Sequence, residues 1–175
     1  QDKSVTYLTT FSKLIRTLFQ NADKKEISLY DEVETCRLYL QLESMRFDSK
    51  FSYTLDIAEP VDMRSIHIPA LIIQPFIENA IEHGFSGQDK PEELTISYQK
   101  KGKEVEIRIA DNGKGFSASD LEREKDHESV AIQITEKRIN LLNKRRKGAF
   151  KFEIFSKPLE GTTVLFSIPY NTLFD

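Results

Sequence analysis

Cysteine, histidine and long apolar runs are all scarce in this chain, and each scarcity removes a class of function. The single cysteine, Cys36, rules out an internal disulfide framework; it lies in a helical pattern, reads as a core residue and fits a reducing compartment. Three histidines (His67, His83, His127) and one cysteine give no zinc-ligand spacing. No segment is apolar for long enough to cross a bilayer, and no signal peptide is visible. The net charge of -3 leaves no footprint for nucleic acid, and the one basic cluster, Lys144 to Lys147, complements the C-terminal dipole of a helix. Neither a GxxxxGK[ST] phosphate loop nor a GxSxG nucleophile elbow occurs. What is present is 175 residues, 39% hydrophobic and 30% charged, a soluble globular composition with room for one domain and an appendage. The chain starts at Gln1 and enters a helical pattern almost at once, so it is expected to be a piece of a longer protein.

The apolar periodicity divides the chain in two. Leu8, Phe11, Leu14, Ile15, Leu18 and Phe19 recur at helical spacing over residues 5–20 and share one face. Ser28 is placed to cap a second helix, with Val33, Cys36, Leu40, Met45 and Phe47 as its apolar positions. These two helices, residues 1–47, are expected to pack on each other or on a partner's helices. From residue 48 the pattern changes. Phe51 to Ile57 alternates as a half-buried strand that Pro60 ends. Pro69 is expected to open a helix over the apolar run Ala70 to Ile81, with Gly84 as its C-cap and a kink or restart at Pro75. Residues 94–99 and 104–111 read as strands joined by a hairpin at Lys101-Gly102-Lys103. A polar segment through Glu128 reads as a mobile loop, followed by a helix over 129–144 burying Ile134, Leu141 and Leu142. Residues 150–156 and 162–169 close the chain as strands. Helices followed by a mixed layer of hairpins and helices predict an α+β, two-layer sandwich.

Two strings carry chemistry: IENAIEHGF (Ile77 to Phe85) and DNGKGF (Asp111 to Phe116). An amide oxygen at Asn79 suits Mg²⁺, which keeps several waters and takes few protein oxygens beside phosphate. Glu78 and Glu82, on an adjoining stripe, either polarise a hydroxyl or imidazole or are solvated surface acids. His83 reads equally as a helix-terminus cation or a phosphate contact. Asp111, at the end of an apolar strand, can accept an adenine amino hydrogen bond, while Gly113 and Gly115 let backbone approach without a Cβ in the way. The plainer reading of Asp111 is an Asx-type turn. Gly161-Thr162-Thr163 is either a turn into a strand or a water-mediated contact to the base.

The residues YLTTFSKLIR, ISLYDEVETCRLYLQLESMRF, IPALIIQPFIENAIEHGF, DNGKGF, ITEKRINLLN and GTTVLFSIP, in this order over nearly the whole chain, resemble the LytS-type sensor histidine kinases. The resemblance implies the Bergerat-type ATP-binding fold shared by histidine kinases, DNA gyrase and MutL, a mixed sheet packed against three helices, here preceded by two helices. It implies a 1–47 helical segment left from the dimerisation and phosphoacceptor region, and an ATP-binding catalytic domain over 48–175. By it Asn79 matches the Mg²⁺-binding Asn, Asp111 the adenine-binding Asp, Gly113 and Gly115 the first glycine box, and Gly161 with Thr162 the last, with an ATP lid over Phe116 to about Ser129. With the residue reading, this nominates Glu78 and Asn79 for catalysis, Asn79 for the metal, and Asn79, His83, Asp111, Gly113, Gly115, Phe116, Ser129, Ala131, Gly161 and Thr162 for the nucleotide.

The implied activity is transfer of the γ-phosphoryl group of Mg-ATP to a histidine upstream of this chain, for relay to a response regulator. The implied setting is a homodimer whose cytoplasmic domain this is, beneath an inner-membrane sensor, with no contact to nucleic acid or membrane. Pro75 stands where ATP-hydrolysing relatives carry a Glu base, which speaks for a kinase. Three positions depart from the pattern. Glu82 replaces a Lys, the second glycine box reads Ser129-Val130-Ala131-Ile132, and no NPHF-type acceptor motif occurs, none of the three histidines replacing it. These departures motivate a rival from another class, a degenerate, nucleotide-free regulatory module that dimerises through its helices.

Overall fold

Alternation of apolar and polar residues along the strands becomes a sheet with one buried face. In the computed structural model, which describes residues 2–46, 51–58, 62–85, 91–117, 127–145 and 150–169, the sheet has five strands in the order β2-β4-β5-β7-β6. These are β2 (Phe51–Ile57), β4 (Glu92–Lys101), β5 (Glu104–Asp111), β6 (Lys151–Lys157) and β7 (Gly161–Pro169). The β2–β4 pairing is parallel and the others antiparallel, so the sheet is mixed as expected. Leu94, Ile96 and Tyr98 of β4, Val105, Ile107 and Ile109 of β5, and Val164, Phe166 and Ile168 of β7 are buried on one side. Glu106, Arg108 and Ser167 alternate with them, the one-sided pattern an antiparallel sheet permits. The β4–β5 hairpin turns at Gly102, whose φ of +63° suits a glycine.

Helices α2 (Leu29–Arg46), α3 (Gln74–Asn79) and α4 (His127–Arg145) complete the core. Leu29, Val33, Cys36 and Leu40 of α2 join Ile77 of α3 and Ile139 and Leu142 of α4 in one hydrophobic cluster with the strand residues. Phe76 of α3 packs on Phe152 and Phe166, with ring centroids 5.3 and 5.7 Å away. Full burial of such a side chain contributes about 1.5–3 kcal/mol, more than any surface pair in the molecule. The three helices on the sheet thus include α2: one core crosses the boundary expected at residue 47. Ser28 does cap α2, accepting the Asp31 N–H at 3.1 Å, while the Leu29 and Tyr30 N–H groups donate to Ile66 and Met63 carbonyls.

Several expectations are corrected. Pro69 does not open a helix. It ends a short strand, β3 (His67–Pro69), which pairs antiparallel with β1 (Glu26–Ser28). The chain then passes through Leu71 at φ +57°, and α3 starts only at Gln74, with Pro75 in its first turn where a missing N–H costs nothing. Pro75 therefore starts the helix. After Asn79 the helix widens into a π-helical turn, Ala80–Gly84, and Gly84 is not among the positive-φ glycines, so it is no left-handed cap. On α4 the expected face holds only at Leu142. Ile134 is 50% and Leu141 58% exposed, while Thr135, Ile139 and Leu142 are buried. In α1 (Asp2–Ala22), which packs along α2, Leu14 is buried but Leu8, Phe11 and Phe19 are 62%, 46% and 75% exposed.

Candidate functional site

Backbone contact, made possible by two glycines, brings the two motifs together. A Cβ on Gly113 would lie 2.3 Å from the Gly84 carbonyl oxygen, and the Lys114 N–H donates to that same oxygen at 2.9 Å. The end of the π turn and the loop after β5 are therefore locked against each other. On the loop's other side, a Cβ on Gly115 (φ +57°) would fall 2.0 Å from the Lys157 carbonyl oxygen, and one on Gly161 (φ +90°) 2.1 Å from that of Asp111. The close approach made by each of these glycines is to another stretch of this chain. The Leu159 N–H donates to the Lys114 carbonyl at 2.6 Å and closes the far side.

Between these elements lies a partly open pocket, about 330 Å³ with the open solvent counted. Its apolar part comes from Phe76 and Ala80 of the helix, Ile109 of β5, Ile132 of α4, and Ile154 and Val164 of the last strands. Asn79, Asp111, Phe116 and Thr162, all nominated from the sequence, line it too. An apolar slot with a few convergent polar groups is the usual make-up of a small-molecule site.

Asp111 makes the Asx-type turn weighed for it and also lines the pocket. Its Oδ1 accepts the Gly113 N–H at 2.8 Å, an Asx-type turn, and the Thr162 N–H at 3.3 Å, while the residue faces the pocket. Thr162 is its register partner across β5 and β7. The Thr162 hydroxyl pairs with Ser156 Oγ at 2.9 Å. Sequence reasoning missed Ser156: its Oγ also accepts the Phe116 N–H at 2.9 Å and approaches the Gly161 carbonyl at 3.2 Å. A serine in an alternating strand gives no local signal, since its role depends on the start of the next strand and on Phe116, 40 positions away in the chain.

Asn79 is half-buried, and its Nδ2 is buried without a hydrogen-bond partner. The amide can therefore turn its oxygen to a ligand without breaking a bond to the protein. Glu78 and His83 are not among the pocket-lining residues. Glu78 accepts a 2.7 Å hydrogen bond from Gln74 Nε2. Burial raises its pKa, opposed by that hydrogen bond and reinforced by the Glu82 charge. Tyr39 and Glu43 of α2 are raised by burial too, with the charges of Glu78 and Glu82 adding to the effect. Glu78 thus belongs to an acidic seam against α2. Ala131 is half-buried and outside the lining, where its neighbour Ile132 stands. The Ser129 side chain and most of the expected lid (residues 118–126) lie outside the described residues.

Residues 66–172 match the family described as histidine kinase-, DNA gyrase B-, and HSP90-like ATPase. The chain belongs to this family. Residues 1–51 match a second family, histidine kinase. Among curated proteins, the chain is 29% identical over 170 residues to the sensor protein LytS of Streptococcus mutans, which covers 93% of this chain and 28% of that protein. It is 27% identical over 173 residues to the sensor histidine kinase/phosphatase LytS of Staphylococcus aureus strain MRSA252, covering 97% of this chain and 29% of that protein. The chain thus spans less than a third of the length of these relatives. Among solved structures, the histidine kinase domain of the blue-light activated histidine kinase EL346 from Erythrobacter litoralis superposes with a TM-score of 0.56 at 16% identity, over 94% of this chain and 75% of that one. The Acinetobacter baumannii histidine kinase AdeS gives 0.54 at 18% identity, over 95% and 80%. The ATPase-family fold runs through these likenesses, with the pocket built where its helix layer meets β5 and β7.

Proposed function

We propose that this chain binds Mg-ATP in the pocket between α3 and strands β5 and β7. There it passes the γ-phosphoryl group to a histidine of the longer protein, leaving ADP and a phosphohistidine for relay to a response regulator. The observation that carries the proposal is the convergence of Asp111 and Asn79 on one apolar slot. The apolar walls suit a purine, and the Asp111 carboxylate suits its amino group as acceptor. Family membership makes ATP the expected nucleotide. Among the described residues no three His, Cys, Asp or Glu side chains gather as a metal cage. Mg²⁺ would therefore be held by the Asn79 amide together with phosphate oxygens and water, the way this ion is usually held. When bound it supplies charge neutralisation across the phosphates. The rest of the catalytic contribution is positioning: the locked glycine contacts hold Asp111 and Asn79 at fixed spacing.

Two copies of the chain would pair through α1. Its face carries Leu8, Phe11 and Phe19, exposed as a stripe at helical spacing that covering by another helix would remove from water. Among the described residues no helix is long and apolar enough to cross a membrane, in keeping with a cytoplasmic domain carried by a membrane sensor. Glu78, assigned to chemistry from the sequence, is better placed to act on α2 than on a nucleotide. Calorimetric titration with a non-hydrolysable ATP analogue, with and without Mg²⁺, tests the reading. Saturable binding that Mg²⁺ strengthens is expected. No binding in either condition would favour the nucleotide-free module instead.

A further inference from the structure

The N-terminus of α3 is held by a side chain from another helix. With six residues, α3 is too short to form unaided, and its own N-cap residue, Ile73, has no side-chain oxygen. Pro75 has no N–H to satisfy, and the Phe76 N–H reaches back to the Ile73 carbonyl at 3.1 Å. The Ile73 and Leu71 N–H groups both donate to Glu32 of α2, to Oε1 and Oε2 respectively, each at 2.8 Å. Glu32 has 0% exposure. Burial raises its pKa, opposed by backbone hydrogen bonds from Ile73, Leu71 and Gln74 and by the charge of Arg138. Because both oxygens face N–H donors, a carboxylate fits where an amide would set its NH₂ against one of them. Arg138 of α4 fastens the same segment from another side, its Nη2 donating to the Ala70 carbonyl at 2.6 Å. Between these two grips sits Leu71 at φ +57°, a conformation that a leucine keeps only when its surroundings impose it.

We propose that Glu32 is a positioning residue for the helix that carries Asn79, with Arg138 as the second grip, so that a displacement of α2 reaches the pocket through α3. The route is short and continuous. The α1 helix packs on α2, α2 places the Glu32 carboxylate on residues 71–74, and Asn79 closes the helix that starts there. The ligand at the pocket's end of this route rests on the nucleotide reading above; the mechanical link does not.

Hydrogen exchange of the ligand-free protein tests the link, with wild type compared to Glu32→Gln and Arg138→Met. Glu32→Gln is expected to speed exchange over residues 71–80 about tenfold while the β4–β5 hairpin keeps its protection. Arg138→Met, at a partly exposed position, should do the same by about threefold. Acceleration spread evenly over both regions, or none over 71–80, would overturn the proposal, since Glu32 would then be one core contact among many. Calorimetry with an ATP analogue and Mg²⁺ reads the other end, where Glu32→Gln is expected to weaken binding about tenfold. Locally loosened exchange with unchanged affinity would overturn the positioning role. If wild type binds no nucleotide, the nucleotide reading falls, and the exchange pattern alone decides the link. Should Glu32→Gln fail to fold, Arg138→Met decides by the same criterion.

Discussion

Gly113 stands directly on Gly84, so close that a Cβ would lie 2.3 Å from the Gly84 carbonyl oxygen. This contact joins the loop that follows Asp111 to the helical turn that follows Asn79. Gly113→Ala forces backbone apart at both ends and is expected to destabilise the fold by about 1–3 kcal/mol, as overpacking typically does. It should also weaken nucleotide binding, because Asp111 moves relative to Asn79. Gly102→Ala is the control: nothing lies within 4 Å of a Cβ there, though its φ is +63°. Its expected cost is about 1–2 kcal/mol from the left-handed backbone alone, with affinity unchanged. Urea unfolding and calorimetry on both variants check the contrast.

Asp111→Asn is expected to remove most adenine-nucleotide affinity and to leave the fold in place. The amide keeps an oxygen for the Gly113 and Thr162 N–H groups, which in the native protein share Oδ1. What it loses is the second carboxylate oxygen, and a lost hydrogen bond to a charged group costs about 1.5–3 kcal/mol. Near-native affinity in this variant would rule out Asp111 as the base-recognition residue.

Asn79→Ala should weaken Mg-ATP binding far more than binding of metal-free ATP. Its effect on stability should be small or slightly favourable, because Asn79 Nδ2 is buried without a partner and its removal deletes an unsatisfied group. Equal affinity losses with and without Mg²⁺ would mean that the amide contacts the nucleotide and not the ion.

Glu78→Gln is expected to stabilise the protein at neutral and alkaline pH. Burial and the Glu82 charge raise the Glu78 pKa above its ordinary 4.5, so the folded state holds its proton more tightly than the unfolded chain does. Such a group contributes stability that is fully present below the unfolded value and is lost as pH rises through the folded one. Glutamine carries no such loss and keeps an oxygen for the Gln74 hydrogen bond. The Tm difference between variant and wild type should therefore grow from pH 4 to pH 8. A difference independent of pH would mean that Glu78 titrates normally.

Several elements were legible because their cause is local. Alternation in residues 51–57, 94–99, 104–111 and 162–169 is itself the condition for a one-sided sheet. Ser28 shows its capping role three residues from the donor it accepts, and Gly102 marks a hairpin at its own position. The order of QPFIENAIEHG, DNGKGF and GTTVLFSIP was enough to nominate Asn79, Asp111, Phe116 and Thr162 together. Short strands were not legible: three residues such as Ile27 and its neighbours have no period to detect, and β1 exists because β3 lies alongside.

What the sequence determined by itself is the longer strands and helices, the α+β class and the family, since each follows from patterns carried by contiguous residues. What only tertiary structure decided is which side chains meet. Pro69 ends a strand instead of opening a helix because β1 was present to pair with residues 67–69, which left the helix start to Pro75. The buried face of α4 was set by Thr135, Ile139 and Leu142 meeting the core, leaving Ile134 and Leu141 outside. Ser156 and Glu32 acquired their roles from backbone donors about forty residues away. A hydrogen bond acts over about 3 Å of space with no regard to distance along the chain, so partners of this kind leave no trace in local sequence.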